Sequence, residues 1–109
     1  MSSDTLTTLA TLVGAKLKTR GMMLATAESC TGGWVAQAVT AIGGSSEWFE
    51  RGFVTYSDAA KQEMLGVSAG TLAAHGAVSE ATAREMAGGA LARSRAHVAV
   101  AITGIAGPS

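Results

Sequence analysis

The stretch Leu24-Ala-Thr-Ala-Glu-Ser-Cys-Thr-Gly-Gly-Trp34 limits what this chain can fold into more than any other. Residues 22–27 form a short apolar run that predicts a buried strand, and the Ala-rich apolar residues 34–42 predict the helix after it. Between them lie Glu28, Ser29, Cys30, Thr31, Gly32 and Gly33. A turn this tight sets a hydroxyl, a thiol and several unpaired backbone N–H groups at the positive end of a helix dipole. An anion or a developing oxyanion is stabilised there. The turn therefore reads as an active-site elbow or as a phosphate cradle.

The remaining segments alternate in the same way. Ser2, Ser3 or Asp4 can cap a first helix, with Leu6, Leu9, Leu12 or Val13, and Leu17 at helical spacing and Gly21 as its stop. After Gly43-Gly44-Ser45-Ser46, residues 47–50 predict a helical turn and residues 52–56 a second strand rich in β-branched and aromatic side chains. Ser57 or Asp58 caps a helix over 59–65, Gly66 breaks it, and 69–74 make a small one. Ser79 opens a longer helix to Ala92 or Arg93, whose buried face is Ala83, Met86, Ala87, Ala90 and Leu91. Gly88-Gly89 inside it implies close packing against a neighbour. Residues 97–103 form a last apolar strand running into Gly104-Ile-Ala-Gly-Pro108. The fold class expected is α/β, a layered sandwich with a mainly parallel sheet flanked by helices on both faces.

In such sheets ligands bind beyond the carboxyl ends of the strands. Three polar, glycine-flanked ends converge there: Glu28/Ser29, Tyr56/Ser57 and Thr103/Gly104. Composition narrows the ligand. Eight basic and eight acidic residues cancel, and no basic stripe with interleaved aromatics appears, which argues against nucleic acid and for a small molecule. One cysteine forms no internal disulfide, and neither a signal peptide nor a membrane-crossing apolar run is visible, so a reducing cytoplasm is expected. With 48% hydrophobic and only 15% charged residues, the surface is poorly charged and subunit contacts are expected to cover part of it.

Each candidate residue has a functional and a structural meaning. Ser29 at the elbow is a nucleophile or simply a helix cap. Cys30 is intrinsically more nucleophilic, yet cysteines are mostly inert packing. His75 sits in a turn and His97 opens a strand away from the site, so the base for Ser29 falls to Lys61. Burial disfavours a charged ammonium, and Ser-Lys pairs are a known variant of triad chemistry. The competing reading of Lys61 is a solvated helix face. Tyr56 and Thr103 either donate to the site or pack at strand ends, and Glu28 either anchors the site or complements the helix terminus. The loops 31–33 and 104–107 can cradle phosphate through backbone N–H groups, but neither matches an ATP or dinucleotide fingerprint. No metal-ligand spacing appears.

Together, Ala27-Glu-Ser-Cys-Thr-Gly-Gly33, Tyr56-Ser57 with Lys61, Leu65-Gly-Val67, Gly76-Ala-Val-Ser-Glu80, Met86-Ala87 and Ala101-Ile-Thr-Gly-Ile-Ala-Gly-Pro108 resemble the CinA C-terminal domain family, named for competence-damage-inducible proteins, over nearly the whole chain. The resemblance implies a nicotinamide-nucleotide amidohydrolase, an NMN deamidase that converts nicotinamide mononucleotide to nicotinate mononucleotide and ammonia in pyridine-nucleotide salvage. It implies a homodimer that uses no cofactor or metal. By motif position, Ser29 is the expected nucleophile and Lys61 its activator, with Tyr56 and Thr103 as polar partners. Glu28, Cys30, Thr31, Gly32, Gly33, Ser57, Gly104 and Gly107 are expected to hold the oxyanion or the substrate. The rivals are a non-catalytic nucleotide-binding or interaction module of the same fold, and a site with Cys30 as nucleophile.

Where the family usually has Asn, this chain has Asp58, which adds a negative charge near the ligand and near Lys61. Family members also continue past the last Gly-Pro. Residues 1–109 are thus expected to form a single CinA-like domain incomplete at its carboxyl end, and Met1 with a capped first helix favours a stand-alone protein.

Overall fold

The structure, a computed structural model, describes residues 3–105. The elements run α1 (Ser3–Thr19), β1 (Leu24–Glu28), α2 (Trp34–Thr40), a 3₁₀ turn (Ser45–Glu47), β2 (Phe49–Val54), α3 (Asp58–Leu65), α4 (Ala69–His75), α5 (Glu80–Ala92) and β3 (Val98–Ile102). The three strands pair in the order β2-β1-β3, both pairs parallel. Leu24 lies opposite Val98 and Glu28 opposite Ile102. The β1–β2 register shifts between Leu24 and Ala25, and Leu24 N–H donates to Trp48 O at 2.7 Å. The second strand therefore begins earlier than its sequence signal, at Phe49, and the turn expected over 47–50 moves back to Ser45.

Every residue of β1 is buried, because helices cover both faces of the central strand. Its alternation divides the core in two. Ala25 and Ala27 pack with Leu65, Val67, Met86 and Ala90 of the α3 and α5 side. Leu24 packs with Ala10, Leu17, Val39 and Trp48 of the α1 and α2 side. With few large apolar side chains, close backbone approach does much of this packing. A Cβ on Gly89 would lie 1.9 Å from Leu65 O, so α5 meets the end of α3 at that glycine. Gly88 faces open space.

Two expected buried faces are corrected. On α1 the inward stripe is Ala10, Gly14 and Leu17, whereas Leu9, Leu12 and Val13 are exposed. The indole of Trp48 decides this, since a Cβ on Gly14 would sit 2.4 Å from its ring. On α5 the buried residues are Thr82, Met86, Gly89 and Ala90, and Leu91 is exposed.

Candidate functional site

The alternation that divides the core also builds the site. Glu28 points to the α2 side and the next residue, Ser29, to the α3 side, so adjacent positions of one strand end serve different elements. The ladder continues just past the strands: Ser29 N–H donates to Ile102 O at 2.9 Å and Thr55 N–H to Glu28 O at 2.8 Å. These bonds fix the elbow between the ends of β2 and β3, at the point where the order of strands reverses.

Glu28 is fully buried. Its carboxylate accepts from the Thr31 hydroxyl at 2.7 Å and from the Val35 and Ala36 N–H groups at 2.9 Å each. The amino end of α2 is thus filled by the chain's own anion. The elbow then turns through Gly32 (φ 60°) and Gly33 (φ 103°), consecutive left-handed positions that suit glycine. Gly32 N–H donates to Ser29 O at 3.0 Å, while the N–H groups of Cys30, Thr31 and Gly33 have no acceptor among the described residues.

Lys61 projects from α3 onto the other side of the elbow and is 1% exposed. Its Nζ lies 3.0 Å from Ser29 Oγ, 3.1 Å from Thr55 O and 3.2 Å from Tyr56 O. Ser57 starts α3 as its cap, accepting from Ala60 N–H at 2.9 Å. This cap and the one turn that follows bring Lys61 back under the end of β2. Among the described residues Lys61 forms no ion pair, with Asp58 or any other carboxylate.

A cleft of about 250 Å³ opens over the pair. Ser29, Cys30, Lys61, Tyr56, Asp58, Thr103 and Gly104 line it, together with Ala77, Val78 and Ile105. The Thr103 hydroxyl donates to Ala77 O at 2.7 Å and ties the loop before α5 to the end of β3. Tyr56 reaches Lys61 through its carbonyl, and its 69% exposed ring stands at the mouth. Cys30 is half-buried, and a Cβ on Gly104 would lie 3.3 Å from its sulfur, so this glycine lets the two loops touch. Ser57, as the α3 cap, and Glu28, as the α2 anchor, are occupied by their helices. His97 accepts from Met23 N–H at 3.0 Å, remote from the elbow. Gly107 lies outside the described residues.

Thr55 and the Ala77-Val78 wall join the expected residues. Thr55 contributes a main-chain carbonyl, which no side-chain pattern announces. Among the described residues no group of three or more His, Cys, Asp or Glu could hold a metal. No helix there is long and apolar enough to cross a membrane.

Fold and site together define a parallel α/β protein with a buried hydroxyl–amine pair at its switch-point cleft. The CinA C-terminal domain matches residues 6–109, and the chain belongs to that family. PncC of Escherichia coli K12, a nicotinamide-nucleotide amidohydrolase, is 60% identical over 108 residues, 99% of this chain and 66% of that protein. A CinA-like protein of Chloroherpeton thalassium is 58% identical over 96 residues, 88% of this chain and 23% of that one. The crystal structure of the competence/damage-inducible protein CihA from Agrobacterium tumefaciens superposes with a TM-score of 0.93 at 55% identity, covering 95% of this chain and 63% of that one. The chain spans 66% of the length of the PncC relatives it matches.

Proposed function

We propose that this protein hydrolyses the carboxamide of nicotinamide mononucleotide, with Ser29 as nucleophile and Lys61 as its base. One observation carries the reading: a lysine 1% exposed, without a counter-ion among the described residues, its nitrogen 3.0 Å from a serine hydroxyl that borders a cleft. The Thr55 and Tyr56 carbonyls can only accept. They hold Lys61 Nζ from two sides and leave its remaining tetrahedral direction pointed at Ser29 Oγ.

Ser29 Oγ attacks the carboxamide carbon while Lys61 Nζ takes the hydroxyl proton. The carbonyl oxygen becomes an oxyanion, met by N–H groups of the elbow, among them those of Cys30, Thr31 and Gly33, which have no acceptor among the described residues. One such donor contributes about 3 to 4 kcal/mol. The C–N bond then breaks, and the proton on Lys61 goes to the departing nitrogen to give ammonia. Water attacks the remaining ester, Lys61 accepts its proton, the Ser29 ester bond breaks, and the proton returns to Ser29. The products are nicotinate mononucleotide and ammonia. No step calls on a cofactor or metal.

The identity to proteins named nicotinamide-nucleotide amidohydrolase supports this substrate, and with it a place in pyridine-nucleotide salvage in the cytoplasm. The weakly charged surface, with Leu9, Leu12 and Val13 exposed on α1, supports a homodimer. Ammonia release from nicotinamide mononucleotide is the direct test. Ser29→Ala should abolish it, and Cys30→Ala should retain it. Turnover that survives Ser29→Ala rejects the serine mechanism, whereas loss in Cys30→Ala together with sensitivity to thiol alkylation moves the nucleophile to Cys30. A folded, unmutated protein that binds the nucleotide without releasing ammonia is a binding module.

A further inference from the structure

The charged side chains lining the cleft are Lys61 and Asp58. They differ completely in environment. Lys61 is buried and has its nitrogen surrounded by Ser29 Oγ and two carbonyls. Asp58 is exposed, and its carboxylate makes no hydrogen bond and no ion pair among the described residues. Nor is it needed as the α3 cap, because the Ser57 hydroxyl already receives the Ala60 N–H. The mouth of the cleft therefore presents one unneutralised negative charge.

That charge is out of place for a ligand recognised only by its phosphate. It suits the other end of the same molecule. A pyridine ring bonded through nitrogen to ribose is a quaternary cation with no N–H to donate, so hydrogen bonding cannot recognise it and Coulomb attraction can. We propose that Asp58 is a specificity residue that selects pyridinium amides, the oxidised N-ribosylated form, over amides on a neutral ring. The inference rests on the cleft being the nicotinamide nucleotide site and names the feature of the substrate that Asp58 reads.

The test compares two ligands with the same carboxamide, ribose and phosphate. One is nicotinamide mononucleotide, with a cationic ring, and the other is its reduced dihydropyridine form, with a neutral ring. Dissociation constants are measured by calorimetry in the Ser29→Ala background, where the ligand is not consumed, with Asp58 intact and with Asp58→Asn, which removes the charge and keeps the shape. An exposed charge pair is worth up to about fivefold in affinity at moderate salt. Asp58→Asn should weaken the cationic ligand about fivefold and leave the neutral one within about twofold. The difference should shrink as salt is raised.

Equal weakening of both ligands would reveal a structural role at the start of α3 and overturn the proposal. So would the absence of any shift. Because binding is read without turnover, charge selectivity is judged independently of catalysis. Ammonia release, followed in separate samples with Ser29 intact, reports on the amidohydrolase assignment: selectivity without ammonia rejects that assignment and leaves the role of Asp58 standing.

Discussion

Glu28 and Ser29 are neighbours in sequence and do opposite work. The glutamate carboxylate is buried under three donors, the Thr31 hydroxyl and the Val35 and Ala36 N–H groups, and holds the elbow against α2. The serine faces the cleft. Replacing Glu28 with Gln keeps the shape but substitutes an NH2 for one accepting oxygen, so a donor is set against a donor in a buried place. Glu28→Gln should lose about 2 to 3 kcal/mol of stability, seen as a lower urea midpoint with an unchanged slope. A variant as stable as the parent would mean that the carboxylate does not anchor the turn.

Between elements, the contact of α5 with α3 depends on one glycine of a pair. Gly89→Ala forces a methyl group into the Leu65 carbonyl and should destabilise the fold by about 3 kcal/mol or more. Gly88→Ala meets nothing and should raise stability by about 0.5 to 1 kcal/mol, the usual gain for alanine over glycine inside a helix. Thermal unfolding of the two variants should therefore move in opposite directions.

The start of α4 is tied to α5 by Glu85, which accepts from Ser68 N–H at 2.8 Å and from the Thr71 hydroxyl. The Ser68 N–H bond, then the Thr71 bond, hold its carboxyl below the ordinary value of 4.5. Because the folded value is depressed, this stabilisation is complete above about pH 4.5 and is lost as pH falls through the lower folded value. Glu85→Gln should be less stable than the parent at neutral pH, and the gap in melting temperature should close in acid below about pH 4.5. A gap that stayed constant across that window would remove the carboxylate from the explanation.

At the scale of the whole molecule, the Cα extents of the described residues are 40 × 33 × 17 Å, a flat shape for a chain of this length. Leu9, Leu12 and Val13 stand exposed on α1, and Val100 on the edge strand β3 is 40% exposed. With a net formal charge of zero at pH 7, there is little long-range repulsion to keep copies apart. Sedimentation equilibrium should give about twice the monomer mass of 10.9 kDa. A monomer at micromolar concentration would refute the homodimer.

Local signals in the sequence sufficed for the alternation of strands and helices, the parallel sheet, and the gathering of Ser29, Tyr56 and Thr103 at the carboxyl end of its strands. Those properties are local: apolar runs of strand length, Ser caps, and glycines where the backbone must turn. Tertiary structure alone decided three others. Lys61 could equally have faced water, and only the Ser57 cap with the length of one helical turn brings its nitrogen to Ser29. Glu28 could have lined the cleft, but strand alternation commits it to α2. On α1 two stripes have the same helical period, and Trp48 selects the small one of Ala10 and Gly14 because a planar indole needs space where a Cβ would stand. In each case the period was legible in the sequence; for Lys61 and for α1 the partners that broke the tie, Ser29 and Trp48, lay far along the chain.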